Sequence, residues 1–233
     1  QRPALAPAGR FASLQRAMKA TRRHLFGLLA GAATAAGLPA WMFRTRTYAG
    51  PLSDHFDGTT FFDPDGAAPK PLWEVLRWQA TRQAAEWPPH VPSPYADTPP
   101  PQVNGGQVRL SFVGHVSWLI QTAGLNILVD PVWSERASPF SFAGPRRVND
   151  PGIAFEALPA IDAVLVSHGH YDHLDMATLS RLAAKFSPRV ITPLGNDTIM
   201  GAEIPGIEAD VVDWGHSRDL GGIIAHAVPA QHW

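Results

Sequence analysis

The sequence predicts a layered α/β or α+β domain, and three observations lead there. Short runs of β-branched and aliphatic residues are interspersed with helical stretches between residues 109 and 228. Turn residues punctuate them, as at Ala123-Gly124 and Asp130-Pro131. A dense run of potential metal ligands, Ser167-His168-Gly169-His170-Tyr171-Asp172-His173, falls where a buried strand gives way to a helix. In layered α/β folds such strand ends open into crevices that bind ligands. The chain has 233 residues, 45% of them hydrophobic and 17% charged, enough for a sizeable core and unlike a disordered or fibrous chain.

Taken in order, residues 72–87 read as a helix with Leu72, Val75, Leu76 and Ala80 at helical spacing. Residues 88–101 hold seven prolines and form an extended linker. Strands follow at 109–113, 116–121 and 126–129, and then a long loop at 133–152 rich in aromatics, Pro and Arg. Residues 163–166 form a short buried strand. The next helix has Asp175 as N-cap and Leu179, Leu182, Ala183 and Phe186 as its apolar face. A strand at 189–192 and a short helix near 197–200 come next. The last elements are a strand pair, 210–214 with 223–228, joined by a Gly-containing turn. There is no internal repeat.

Charge is unevenly spread. Residues 1–47 hold eight of the 19 Arg and Lys and none of the 20 acids, a basic leader before an acidic body. Thr21-Arg22-Arg23-His24-Leu25-Phe26 and the Ala/Gly/Leu run to Ala40 make a twin-arginine pattern with a mild apolar segment, shorter than the roughly 20 residues that span a bilayer. The expectation is an export signal and a periplasmic or membrane-associated protein. The other readings are an Ala-rich helix opening the fold, or a cytoplasmic protein whose leader acts as an interfacial anchor. Met18, just before Lys19-Ala20-Thr21-Arg22-Arg23, is the expected translation start. The resulting plan is a leader at 1–47, a helix and Pro-rich extension at 48–101, and a catalytic-type domain at 102–233.

The absence of Cys excludes a disulfide scaffold, a Cys zinc site and a Cys nucleophile, and a net charge of −1 gives no reason to expect nucleic-acid binding. His168 and His170, two apart in extended backbone, project to one side. Asp172 and His173, at the turn into the helix, address a second point nearby. Imidazole and carboxylate suit zinc, and also Mn or Fe. One ion does not take all four groups comfortably. Two ions about 3.5–4 Å apart do, which is the arrangement of two-metal hydrolases. His24, His90, His216 and His226 are isolated and read as structural or solvent-facing.

With these residues in view the sequence resembles the metallo-β-lactamase superfamily, whose signature is H-x-H-x-D-H. More narrowly it is similar to the branch containing N-acyl-phosphatidylethanolamine-hydrolysing phospholipase D and its bacterial relatives. That match is carried by Gly114-His115-Val116-Ser117-Trp118, Leu128-Val129-Asp130-Pro131, Ser134-Glu135-Arg136-Ala137-Ser138-Pro139, Phe142-Ala143-Gly144-Pro145-Arg146-Arg147 and Pro229-Ala230-Gln231-His232-Trp233. Ser53-Asp54-His55-Phe56-Asp57-Gly58 resembles the N-terminal segment of the bacterial relatives, so the likeness runs over about residues 48–233.

The resemblance implies a four-layer αβ/βα sandwich, mainly its first half in this chain. It implies two zinc ions, one on His168, His170 and His232, the other on Asp172 and His173, with Asp172 also orienting the attacking hydroxide. The family's later bridging Asp and final His have no counterpart here. The expectation is therefore a fragment that binds fewer zinc ions than the whole protein and turns over little. Asp130 is expected to support the ligand loop by accepting a hydrogen bond from a ligand imidazole, or else to cap a turn. His115 either lines the site or packs under it. Trp133, Phe140, Phe142, Arg146 and Arg147 either form a greasy, positively charged mouth for a lipid phosphate or tuck the loop onto the sandwich. The implied activity is hydrolysis of N-acyl-phosphatidylethanolamine-like phospholipid to phosphatidic acid and an N-acylethanolamine. A lactonase, a soluble phosphodiesterase and an inactive metal-binding fragment are the competing readings.

Overall fold

A computed structural model describes residues 48–66, 70–83 and 85–230. The twin-arginine stretch and His232 lie outside the described residues. A six-stranded sheet organises the rest: β1 (Val108–Gly114), β2 (Ser117–Thr122), β3 (Leu125–Val129), β4 (Ala163–Leu165), β5 (Arg189–Pro193) and β6 (Ala209–Val212), in that spatial order. The first three strands form an antiparallel meander, and β3 to β6 run parallel. Parallel neighbours need crossovers. Helix α2 (Met176–Phe186) supplies the one from β4 to β5, and α3 (Asn196–Glu203) the one from β5 to β6.

Alternation along the strands fills both faces of the sheet. Leu119, Leu128, Val164 and Val190 point into one core with Leu179 and Leu182 of α2 and Met200 of α3. Their chain neighbours Ile120, Ile127, Ala163 and Ile191 point to the other side, where Leu220, Ile223 and Ala225 cover them. Those last residues belong to or border a separate hairpin, β7 (Ser217–Asp219) with β8 (Ile224–His226). On this second face β1 and β2 leave Leu110 and Trp118 exposed.

Two expectations are corrected. The first helix among the described residues, α1, is Leu72–Thr81 and stops at Arg82, whose ψ of 136° is extended. It buries none of its residues, so nothing rewards a further turn before Pro88 and Pro89. Residues 223–228 do not pair with 210–214 either. Residues 209–212 follow a helical crossover, which delivers them parallel to β5 at the sheet edge. The chain then turns at Gly215, with φ of 79°, and β8 finds its partner in β7.

The Pro-rich extension is held by polar staples. Gln121 donates to the carbonyl of Pro100, and Asn126 donates to those of Pro101 and Ala160. Asp97 accepts from Ser111 Oγ at 2.5 Å and Arg109 Nη2 at 2.7 Å. The Ser111 bond holds the Asp97 carboxyl below the usual carboxylate value, against the opposing effect of burial. The carboxyl ends of β3, β4 and β5 come together at one rim, and the metal-type residues sit there.

Candidate metal centre

The loop after β4 carries the histidines, and the residue after β3 holds that loop. Asp130 is 4% exposed, with its backbone in the left-handed region at φ 42°, a conformation Asp tolerates better than most residues. Its peptide N–H donates to Leu165 O, and its own carbonyl accepts from Ser117 Oγ at 2.5 Å. The side chain is thereby aimed across the strand ends. Oδ1 accepts from Ser167 N at 2.7 Å, and Oδ2 accepts from Ser167 Oγ at 2.7 Å. His173 Nδ1 lies 2.8 Å from the same Oδ2. An ionised carboxylate only accepts, so Nδ1 carries the hydrogen and Nε2 keeps its lone pair for a cation.

The same logic fixes His168. Ser167 Oγ has given its single hydrogen to Asp130, so it accepts from His168 Nδ1 at 2.9 Å. His168 Nε2 then points at His170 Nδ1, 3.2 Å away. Two imidazole nitrogens each about 2.0–2.1 Å from one zinc ion sit about 3.3 Å apart in a tetrahedron. The separation of this pair matches that spacing.

A second group forms beside it. Asp172 Oδ2 is 2.9 Å from His115 Nε2 and 3.8 Å from His173 Nε2, and the three residues offer ligand atoms within 4.8 Å of one another. His115 reaches this position from the turn between β1 and β2, where its own φ is 52° and that of Gly114 is 147°. Burial pushes the Asp172 carboxyl up, but the hydrogen bond from His115 and the nearby imidazoles outweigh it. The net shift is below the usual carboxylate value, so the group is an anion. The rings of His168 and His173 lie 3.9 Å apart between centroids, so the two donor pairs adjoin.

The expected substrate residues are spread differently. Trp133 is tied down: its indole N–H donates to Ile153 O at 3.0 Å and its ring packs edge-on against Phe155. Arg147 donates to the carbonyls of Val132 and Ser134, so its guanidinium anchors the base of the loop. Phe140 and Phe142 pair at 5.6 Å, and Phe142 is 79% exposed at the tip. Arg146 is exposed and 3.5 Å from Glu135. Among the isolated histidines, His90 meets Asp150 at the surface, while His216 and His226 belong to the hairpin region.

Two residues were not singled out for the site in sequence. Asn196, 7% exposed, sets its Oδ1 3.0 Å from where a Cβ on Gly169 would stand. Asp175 caps α2 through Thr178 and also accepts from the peptide N–H groups of Trp133 and Ser134. No spacing rule points to Asn196, which lies 27 residues from the glycine it faces. The N-cap rule finds Asp175 but not its second task.

Residues 125–233 match the family described as the beta-lactamase superfamily domain. Over that stretch, a little under half of its length, the chain is similar to the beta-lactamase superfamily domain. The mixed α/β sheet and the resemblance drawn from residues 168–173 agree with it. An uncharacterized protein of Mycobacterium tuberculosis is 36% identical over 168 residues, 70% of this chain and 42% of that protein. The N-acyl-phosphatidylethanolamine-hydrolyzing phospholipase D 1 of Caenorhabditis elegans is 37% identical over 134 residues, 52% of this chain and 37% of that protein. A metal-dependent hydrolase of Anaeromyxobacter is 32% identical over 127 residues, 53% of this chain and 40% of that protein. The chain thus spans about two fifths of the length of these relatives, and the residues that match the family hold the histidine loop described above.

Proposed function

We propose that the whole protein is a metal-dependent phosphodiesterase of phospholipase D type, acting on N-acyl-phosphatidylethanolamine-like lipids with two zinc ions. The observation that carries this reading is the double fixation of the ligand loop by Asp130. One carboxylate sets the tautomers of His173 directly and of His168 through Ser167. Such preset nitrogens are what a cation site needs and what a solvated His loop lacks. Bound cations supply water activation at neutral pH and neutralise phosphate charge. The chain's own residues do the rest. Asp172 stays anionic and orients the attacking water, and His115 holds the Asp172 carboxylate in place. His232 is proposed as a third ligand beside His168 and His170.

The lipid part of the reading is supported by the nematode relative's name and by the exposed Phe142 at the tip of the aromatic loop. Among the described residues no helix is long and apolar enough to cross a membrane. We propose that the protein meets its substrate at a membrane surface, after export through the twin-arginine stretch.

The test is a substrate panel with the full-length protein. Vesicles containing N-acyl-phosphatidylethanolamine should yield phosphatidic acid and N-acylethanolamine. A chelator should stop the reaction and Zn2+ should restore it. Hydrolysis of bis(p-nitrophenyl) phosphate or of a lactone with none of the lipid would replace the reading by a soluble phosphodiesterase or a lactonase. No turnover at all would leave only a metal-binding protein.

A further inference from the structure

Residues 48–62 fold into a small strap tied to itself by Ser53 N to Phe56 O at 3.1 Å, Asp57 N to Thr60 O at 3.2 Å and Phe62 N to His55 O at 2.9 Å. Its latch is His55, 6% exposed. Nδ1 lies 2.6 Å from Asp54 Oδ1, Nε2 lies 2.9 Å from Asp213 Oδ1, and the ring stacks on Trp214 at 4.5 Å. Asp213 and Trp214 directly follow β6, so the strap is fastened to the rim that carries the histidine loop. Phe56, Phe61 and Tyr48 form an aromatic cluster with centroid separations of 4.5–5.3 Å.

From this cluster a line of close contacts runs to the metal loop. Tyr48 and Phe61 press on Gly195, where a Cβ would stand 3.4 Å from Tyr48 Cβ and 3.3 Å from Phe61 Cε2. Gly195, at φ 89°, is the N-cap of α3. The next residue is the buried Asn196. Its Nδ2 donates to Thr192 Oγ1 at 2.8 Å, and its Oδ1 faces Gly169 between His168 and His170. Glycine has the most backbone freedom of any residue, so the spacing of the two flanking imidazoles depends on what walls Gly169 in.

We propose that the strap is a positioning element of the metal centre: through Gly195 and Asn196 it fixes the backbone at Gly169 and hence the spacing of His168 and His170. This rests on the reading of that loop as a cation site. A strap that merely covers the sheet end would stabilise the fold without touching the ligands.

The test uses the full-length protein and two strap variants, Phe61→Ala and the isosteric Asp213→Asn, which keeps the volume at the latch. Zinc affinity is read by competition with a chromogenic chelator, ligand geometry by the visible spectrum of the Co2+ form, and stability by thermal unfolding of the metal-free protein. Phe186→Ala, in the last turn of α2, is the destabilised control. The strap variants should bind zinc about 10-fold more weakly and shift the Co2+ bands, as changes behind metal ligands do. The control should lose unfolding temperature with neither change. Strap variants that unfold earlier yet match the parent in affinity and spectrum overturn the inference alone. A parent protein that binds neither zinc nor cobalt ends the cation reading and this inference with it.

Discussion

The histidine loop at 167–173 and the aromatic loop at 133–149 leave the same end of the sheet, from β4 and β3, yet they are held in opposite ways. The histidine loop is gripped along its length. Asp130 takes both polar groups of Ser167 and the ring of His173, and Asn196 backs Gly169. The aromatic loop is gripped only at its base. Asp175 accepts from Trp133 and Ser134, Arg147 binds the carbonyls of Val132 and Ser134, and Arg147 N donates to Glu135 O. Past the bridge between Arg136 and Arg146 the tip reaches solvent with Phe142. A site that must hold donor atoms at fixed separations needs the first arrangement. A surface that meets an apolar partner works with the second.

Asp130 is the strongest way to break this contrast. In Asp130→Ala, Ser167 and His173 lose a nearly buried charged acceptor, and each such bond is worth about 1.5–3 kcal/mol. Stability in denaturant should fall by about 3 kcal/mol or more, and zinc affinity by about 10–100-fold. Asp130→Asn sharpens the point. It keeps the shape but brings a donor to Oδ2's place, where His173 Nδ1–H needs an acceptor. Affinity should therefore fall with a smaller change in stability. Chelator competition and urea unfolding on the same samples measure both, and an unchanged zinc affinity in both variants would falsify the tautomer argument.

Asp175 is the matching test at the base of the other loop. Asp175→Ala removes an N-cap and the acceptor for Trp133 N, Ser134 N and Ser134 Oγ. A lost cap alone costs about 1 kcal/mol, and the stranded Ser134 N–H raises the total to about 2–3 kcal/mol, while Trp133 N–H keeps Thr178 Oγ1 as an acceptor. Zinc affinity should stay within about 2-fold of the parent, because none of the described bonds of Asp175 reaches the histidine loop. If affinity falls as far as in Asp130→Ala, the two loops are one mechanical unit and the contrast fails.

How much of this was readable beforehand follows from where the information sits. Strands β3, β4 and β5 are apolar runs bounded by turn residues, and their expected ends lie within a residue of the observed ones. The ligands of the histidine loop are contiguous, so spacing alone exposes them. The hidden parts depend on tertiary packing. His115 meets Asp172 across 57 residues, and Asn196 meets Gly169 through a helix start that carries no ligand motif. Trp133 offered either a substrate surface or a packed indole, and only the carbonyl of Ile153 decides where its N–H goes. The helix expected over 72–87 ends earlier because the spacing of Leu72, Val75, Leu76 and Ala80 suggests a buried face, whereas none of the residues of α1 is buried.

The smallest expected effect on the fold, and the most telling about the tip, comes from Phe142→Ser. Phe142 touches Phe140 and is otherwise solvent-exposed, so unfolding should shift by no more than about 0.5 kcal/mol. If the tip meets lipid, a phenylalanine side chain leaving water contributes about 1.5–3 kcal/mol, and its loss should weaken binding to N-acyl-phosphatidylethanolamine vesicles by about 10-fold or more. Hydrolysis of bis(p-nitrophenyl) phosphate should stay at the parent's level, since that substrate has no acyl chains for the tip to hold. Vesicle flotation and initial rates on the two substrates separate these outcomes. Equal losses on both would move Phe142 from the lipid surface to the organisation of the site. No loss on either would make the free tip of the aromatic loop an accident of its anchored base, and the contrast between the loops would then concern stability alone.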